Sequence, residues 1–236
     1  MRSSISRLSP KFLRRLEAVD TAAICDADKG TGSQAVKVMS SNITLRTQHL
    51  AVSGKKMIGV ARTVQLSKSE DFLAVLQGLD EAEEGEVLCV NTKNSTKAVA
   101  GGLFLAEAER KGLRGLIVDG AVRDITSMQE NGIHCYSMSV NPSSGTISHT
   151  GKMQVPITCG GVLISPGDII IGDADGVIVS DLNSLEKIIE SAENIVAKEE
   201  AIMTSMKNGN GLHSLTNFTE HVANIKKGTQ SSLKFN

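Results

Sequence analysis

Apolar positions along the chain alternate between two periods. In SPKFLRRLEAVD the residues Phe12, Leu13, Leu16 and Val19 recur at helical spacing, with Ser9 placed to cap and Pro10 at the first helical position. This pattern predicts an amphipathic helix, and TAAICDADKG extends it into a helical hairpin. KMIGVARTVQL is short and rich in β-branched residues, with Gly54 upstream and the polar SKSE downstream, which predicts a strand. DFLAVLQGLDEAEEGEVLCVN predicts a short helix, an acidic turn ending at Gly85 and a strand around Val87 to Val90. The alternation repeats in GGLFLAEAERKGLRGLIVDG as a Gly pair, a helix, a stop at Gly112 and an apolar strand left through Asp119-Gly120.

IHCYSMSV supplies another strand. Residues 141–156 are polar and contain Gly and Ser, which predicts a hairpin or an excursion with short edge strands. GGVLISPGDIIIGDADGVIVS reads as three strands joined by a Pro-Gly and an Asp-Gly turn. A long helix is predicted over residues 182–206, capped by Asp181 or Asn183 and stopped near Gly209. With no internal repeat and no dividing linker, the chain reads as one α/β domain over residues 1–209. It opens with a helical hairpin and closes with a long helix, its helices and strands mixed rather than doubly wound. Residues 210–236 form a tail that packs on a neighbouring subunit or stays loose.

Composition narrows the function classes. A chain of 236 residues with 40% hydrophobic content can bury a sizeable core. An aromatic fraction of 3%, with no Trp and one Tyr, makes that core aliphatic and argues against nucleic-acid recognition by stacked rings. A net charge of -1 provides no overall basic field. Cys25, Cys89, Cys135 and Cys159 show neither CxxC spacing nor a nearby His pair, against zinc and redox chemistry, and Cys89 in EVLCV reads as a packed thiol. No apolar run reaches membrane-spanning length, and the N-terminus has no long apolar secretory stretch. The expectation is a cytoplasmic protein that binds neither nucleic acid nor membrane. An organelle address in the basic, Ser-rich MRSSISRLSPKFLRR is the alternative.

Candidate chemistry lies around LIVDGAVRDI. Gly101 and Gly102 stand just ahead of a predicted helix, where backbone N–H groups can turn toward an anion without a Cβ in the way and the helix adds partial positive charge. One helix and one strand later the chain returns, so Arg123 can face the same pocket and grip a small carboxylate bidentately. Taken alone the signal is weak, because Gly-Gly is also a common turn and surface arginines are frequent.

The spacing sharpens it. Gly102, twenty further residues and then Arg123-Asp124 within VDGAVRD resembles the signature of the RraA-like family, which includes metal-dependent pyruvate aldolases acting on 4-hydroxy-4-methyl-2-oxoglutarate and regulators of ribonuclease activity. TAAICDADKG, MIGVARTV, VPITCGGVLISPGDIIIGDADGVIV and the Glu-rich final helix resemble further family landmarks, so the likeness covers roughly residues 9–209. The resemblance implies a swivelling β/β/α fold, a homotrimer or hexamer, and a pocket at a subunit boundary. It also implies that Gly101, Gly102, Leu103 and Phe104 hold a pyruvate moiety, that Arg123 binds substrate oxygens, and that Asp124 engages Mg²⁺ or Mn²⁺. The activity implied is C–C cleavage of a small 2-oxo acid through a pyruvate enolate, either as an aldolase or as an oxaloacetate decarboxylase. A non-catalytic trimeric regulator of a partner such as a ribonuclease is the other reading, and a metal enzyme of the same scaffold acting on a different substrate is a third.

The chain departs from the aldolase pattern at two positions. Gly102 stands where many aldolase members carry Asp, and Ser127 stands where a second acidic residue usually follows. Glu199 or Glu200 on the last long helix would either reach a neighbour's site or form a solvated face. Asp119 reads equally as support for metal-bound waters or as a turn residue. Asp173 and Asp175 read as a tight turn rather than a calcium loop. His134 and His149 have no partner at ligand spacing, and Arg14-Arg15 and Lys55-Lys56 read as solvated charges.

Overall fold

The central strands are buried on both faces, which is why they read as near-continuous apolar runs. The computed structural model describes residues 8–235; residues 1–7, half of the basic opening that could carry an address, lie outside the described residues. The helices are α1 (Pro10–Ala18), α2 (Thr21–Thr31), α3 (Gln48–Val52), α4 (Leu73–Glu81), α5 (Gly102–Arg110), α6 (Ile125–Met128), α7 (Leu182–Lys207) and α8 (Phe218–Lys226). The strands are β1 (Lys37–Val38), β2 (Thr44–Leu45), β3 (Met57–Gln65), β4 (Glu86–Asn91), β5 (Ala98–Ala100), β6 (Gly115–Val122), β7 (His134–Val140), β8 (Lys152–Met153), β9 (Ile157–Cys159), β10 (Val162–Ile164), β11 (Ile169–Gly172) and β12 (Val177–Ser180).

The main sheet runs β1-β12-β11-β3-β4-β6-β7-β2, with β5 added to β6 and β8 to β3. Its centre, β3-β4-β6-β7, is parallel, and β11, β12, β1 and β2 flank it antiparallel. Strands β9 and β10 form a separate antiparallel pair. Alternate residues of β3 show the layering. Ile58, Val60 and Val64 face the helices, whereas Met57 and Ala61 face the layer that holds the β9-β10 pair. On the helical face one cluster joins β4 and β6 to α4 and α5, and a second joins β11 and β12 to α1, α2 and α7. Arg62 lies at the seam of the two, buried and paired with Glu86 at 3.2 Å and Glu81 at 3.3 Å.

Capping follows the sequence. Ser9 accepts from the Phe12 N–H with Pro10 in the first turn, and Asp181, not Asn183, caps α7 through the Ser184 N–H. The Asp-Gly turn between β11 and β12 forms as expected, and Asp173 uses its carboxylate to accept from Thr21 N and Oγ1, both at 2.8 Å, at the start of α2. Cys89 is a fully buried thiol, as expected.

Three local expectations change. The strand β6 does not end at Asp119-Gly120 but runs to Val122, with a register shift against β7 between Val118 and Ala121. Glycine is required at position 120 because a Cβ there would meet Thr92 Oγ1 at 2.5 Å. Lys56 is not simply solvated: its ammonium bonds the Glu17 and Val19 carbonyls at the end of α1. Arg15 likewise forms a two-pronged pair with Glu193 of α7, at 2.6 and 2.7 Å. His149 lies at the surface, one of the two placements expected for it, with Nδ1 3.1 Å from Asp71 Oδ2. Of the two forms expected for the polar stretch after β7, the excursion is the one observed, touching Ala98 and Asp71 through isolated bridges before the short strand β8 pairs with β3. Residues 210–235 carry α8 and a bridge between Thr216 and Phe235, yet none of them is buried.

Candidate active site

Parallel strands β5 and β6 end side by side, and the Arg123 N–H donates to the Ala100 carbonyl at 3.0 Å. This bond sets the residue that follows β6 against the glycine that follows β5. Gly101 then opens α5, and its carbonyl accepts from both Phe104 and Leu105 at 3.1 Å. Asp124 takes a left-handed backbone, φ 62 and ψ 39, which aspartate tolerates better than most residues. The kink answers how two adjacent charged residues share one pocket: both Arg123 and Asp124 line the cavity above α5.

Asp124 Oδ2 accepts from the Gly102 N–H at 3.2 Å and lies 3.6 Å from Arg123 Nε. The two side chains remain 43% and 47% exposed, so their pairing contributes at most about 1 kcal/mol to stability. Structural need therefore does not account for the arrangement. A Cβ on Gly101 would collide with Asp124 Oδ2, and one on Gly102 would collide with Ser127 Oγ. The diglycine thus permits a close approach between α5 and the Arg123-Asp124 corner.

Gly101, Leu103, Phe104, Arg123 and Asp124 line one cavity of about 50 Å³, and Gly102 is tied to it through its N–H. The cavity lies at the carboxyl ends of parallel strands, where open α/β sheets bind ligands. Five lining residues were not legible in the sequence: Ala98, Val99 and Ala100 of β5, Phe72, whose ring meets Phe104 edge-on at 5.9 Å, and Ser144 in the excursion after β7. Asp71 holds that excursion in place. Its buried carboxylate accepts from the Ser148 and His149 N–H groups, His149 Nδ1, Thr146 Oγ1 and the Leu73 N–H. Burial pushes this carboxyl up, but the hydrogen bonds outweigh it and hold the group well below the usual carboxylate range. The Asp-Phe pair ahead of α4 was the available signal, and local pattern alone gave it no partner.

Other candidates lie elsewhere. Asp119 follows Ile117 on the face of β6 opposite α5; burial raises its pKa, and a bond from the Gly160 backbone partly offsets this. It is a strand residue on the far side of the sheet from Asp124, neither a turn nor a support for it. Glu199 and Glu200 are exposed on α7 beside Asp20. His134 is buried, bonds the Lys55 carbonyl and stacks on Tyr136, and burial lowers its pKa. Among the described residues no group of three or more His, Cys, Asp or Glu side chains could hold a metal ion. Asp124 by itself, bonded to Gly102 and paired with Arg123 through Oδ2, is a donor that suits a hard cation keeping most of its waters.

The fold is a parallel-centred α/β domain with a diglycine helix start, an arginine and a lone carboxylate at one strand edge. The chain belongs to the RraA-like family, whose profile, described as Aldolase/RraA, matches residues 21–179. It is 34% identical over 198 residues to a Halalkalibacterium halodurans protein named "Putative 4-hydroxy-4-methyl-2-oxoglutarate aldolase", covering 84% of this chain and 89% of that one. Its fold is similar to Streptomyces coelicolor RraAS2, described as an unusual member of the RNase ES inhibitor RraA protein family, with TM-score 0.70, 28% identity and coverage of 84% and 98%. The RNA-processing inhibitor RraA from Thermus thermophilis matches with TM-score 0.57 and 26% identity, over 65% of this chain and 90% of that one. The expected RraA-like α/β domain is therefore the fold observed.

Proposed function

We propose that the protein is a divalent-metal-dependent lyase that breaks a C–C bond of a small 2-oxo acid through the pyruvate enolate. Aldol cleavage of a 4-hydroxy-2-oxo acid and decarboxylation of oxaloacetate both pass through that enolate. The observation that carries this reading is the meeting of the Gly101–Phe104 turn, Arg123 and Asp124 around one cavity. Similarity to a protein named for 4-hydroxy-4-methyl-2-oxoglutarate supports the substrate class.

Asp124 would hold Mg²⁺ or Mn²⁺, which when bound supplies Lewis-acid stabilisation of developing negative charge. Arg123 presents a guanidinium fork to the substrate carboxylate and fixes its orientation. The start of α5 adds backbone N–H groups and the positive end of the helix, aimed at oxygens that gain charge as the bond breaks. Neither Gly102 nor Ser127 offers a carboxylate to take the proton of a substrate hydroxyl. Decarboxylation needs less proton management and suits this site without a base from another chain. Glu199 or Glu200 of a neighbour in a homotrimer or hexamer would supply one. The reading places the enzyme in the cytoplasm, apart from nucleic acid and membrane; among the described residues no helix is long and apolar enough to cross a membrane.

A second reading is a non-catalytic regulator of a protein partner such as a ribonuclease. The likeness to one structure described as an RNA-processing inhibitor and to another described as an unusual member of an RNase ES inhibitor family, with the absence of carboxylates at Gly102 and Ser127, favours it. Pyruvate release from oxaloacetate or 4-hydroxy-4-methyl-2-oxoglutarate, coupled to lactate dehydrogenase with Mg²⁺ or with EDTA, separates the two. Turnover is expected with Mg²⁺ alone and should fall about 100-fold or more in Asp124→Asn. A folded protein inert toward both substrates would instead point to the regulator.

A further inference from the structure

The cavity runs along β5, and a charged pair stands just beyond the end away from Arg123. Arg123 is level with Ala100, whereas Ala98 and Ser144, joined by a bridge, line the other end. Lys97 directly precedes Ala98, and its ammonium lies 3.4 Å from a carboxylate oxygen of Glu70, two residues before the lining residue Phe72. Thr96 Oγ1 donates to the other oxygen of Glu70 at 3.2 Å. The Lys97 and Glu70 side chains remain 44% and 32% exposed, so water screens the pair and it adds little to stability. Glu70 nevertheless takes the left-handed backbone region at φ 68, as Asp124 does at φ 62. In a non-glycine residue that conformation costs energy, and such positions gather at ligand sites. A weak ion pair is a poor reason to hold a loop in it.

We infer that Lys97 binds the second carboxylate of the substrate, so the site takes 2-oxo dicarboxylates in preference to 2-oxo monocarboxylates. This rests on the reading of Arg123 and Asp124 as the anchor of the 2-oxo acid end. Along the strand, Lys97 and the level of Arg123 are about 10 Å apart. A diacid such as 2-oxoglutarate is shorter than that, and the long side chains of Arg123 and Lys97 make up the difference. The lysine carries its charge on a flexible stem, and rotation of that stem brings the ammonium from Glu70 toward the cavity. Ala98 and Val99 then meet the carbons between the two carboxylates, and each charge has a cation at its own end. Glu70 is the counter-charge of the empty site. It competes with the substrate for the ammonium and repels an incoming anion, which sets the strength of the preference.

The test uses ligands that do not undergo cleavage, so it reads binding apart from turnover. Pyruvate, 2-oxopentanoate and 2-oxoglutarate are each titrated by calorimetry into the full chain with Mg²⁺. The last two share a chain length and differ at the far end, methyl against carboxylate. The wild type is expected to bind 2-oxoglutarate about tenfold tighter than 2-oxopentanoate. Lys97→Met should remove that ratio by weakening 2-oxoglutarate alone, and Lys97→Arg should keep it. Glu70→Gln should tighten 2-oxoglutarate and neither of the others, an effect that a merely structural ion pair would not give. Pyruvate binding by Lys97→Met shows that the variant is folded. If pyruvate binds but Lys97→Met weakens 2-oxoglutarate no more than 2-oxopentanoate, the role of Lys97 is overturned and the lyase reading stands. Failure of all three ligands to bind the folded wild-type chain overturns the anchor reading and this inference with it.

Discussion

Gly102 and Ser127, the two positions at which the chain departs from the aldolase pattern, face each other across the site. A Cβ on residue 102 would run into Ser127 Oγ, which itself donates to the Asp124 carbonyl at 3.0 Å. The departures are thus one coupled feature, and a side chain at 102 requires Ser127 to move. Gly102→Ala should cost the Ser127 hydrogen bond while gaining helix propensity, whereas in a Ser127→Gly background only the gain remains. A double-mutant cycle by urea denaturation is expected to show a coupling of about 1 kcal/mol; independent effects would mean that the two residues do not touch. Asp71 makes a second prediction at this scale. Its folded-state pKa lies below the unfolded one, so its stabilisation of the excursion is present above about pH 4 and is lost as pH falls toward the depressed value. Amide exchange at Ser148 and His149, corrected for intrinsic rates, should report opening that grows more favourable below about pH 4 in the wild type. In Asp71→Asn the opening should be easier throughout and flat with pH across that window.

At the scale of elements, the helical face of the sheet carries two apolar clusters, and their seam is charged. Arg62 on β3 reaches Glu86 on β4 and Glu81 on α4, and its Nε has no partner among the described residues. Removing one partner of a buried pair leaves an uncompensated charge, so Glu86→Ala should cost about 3 kcal/mol in urea unfolding. The double change Arg62→Met with Glu86→Leu should recover most of that loss; recovery of none would show that the pair stabilises the seam directly. Helices and strands in this region were legible because each keeps its own period and cap. The excursion after β7 was only partly legible. Its anchor is a carboxylate about seventy-five residues earlier, and no local pattern encodes a bond of that separation.

For the whole molecule, the tail stands apart from the core. Asn217 closes residues 210–235 on themselves by bonding Ser232 and Lys234, while Phe218, Ile225, Leu233 and Phe235 stay exposed. A segment with a helix of its own but no fully buried residue fits packing on a neighbouring subunit, as proposed for the assembly. Truncation after residue 209 should lower the mass by light scattering and leave the far-ultraviolet circular dichroism of the domain intact; an unchanged oligomer would separate the tail from assembly. Elements β1, β2, α3, β5, α6 and α8 were not read from the sequence. By itself it determined α1, α2, α4, α5 and α7, strands β3, β4, β6, β7 and β10 to β12, and the aliphatic core, and it singled out the Gly101–Phe104 turn with Arg123 and Asp124 as the candidate site. Those features rest on period, capping and spacing, which act over a few residues at a time. Only the tertiary structure decided that β6 continues past Asp119, that Asp119 faces away from Asp124, and that Phe72 and Ser144 close the cavity. Each of these depends on which strands lie side by side, and that is settled by burying both faces of the sheet at once.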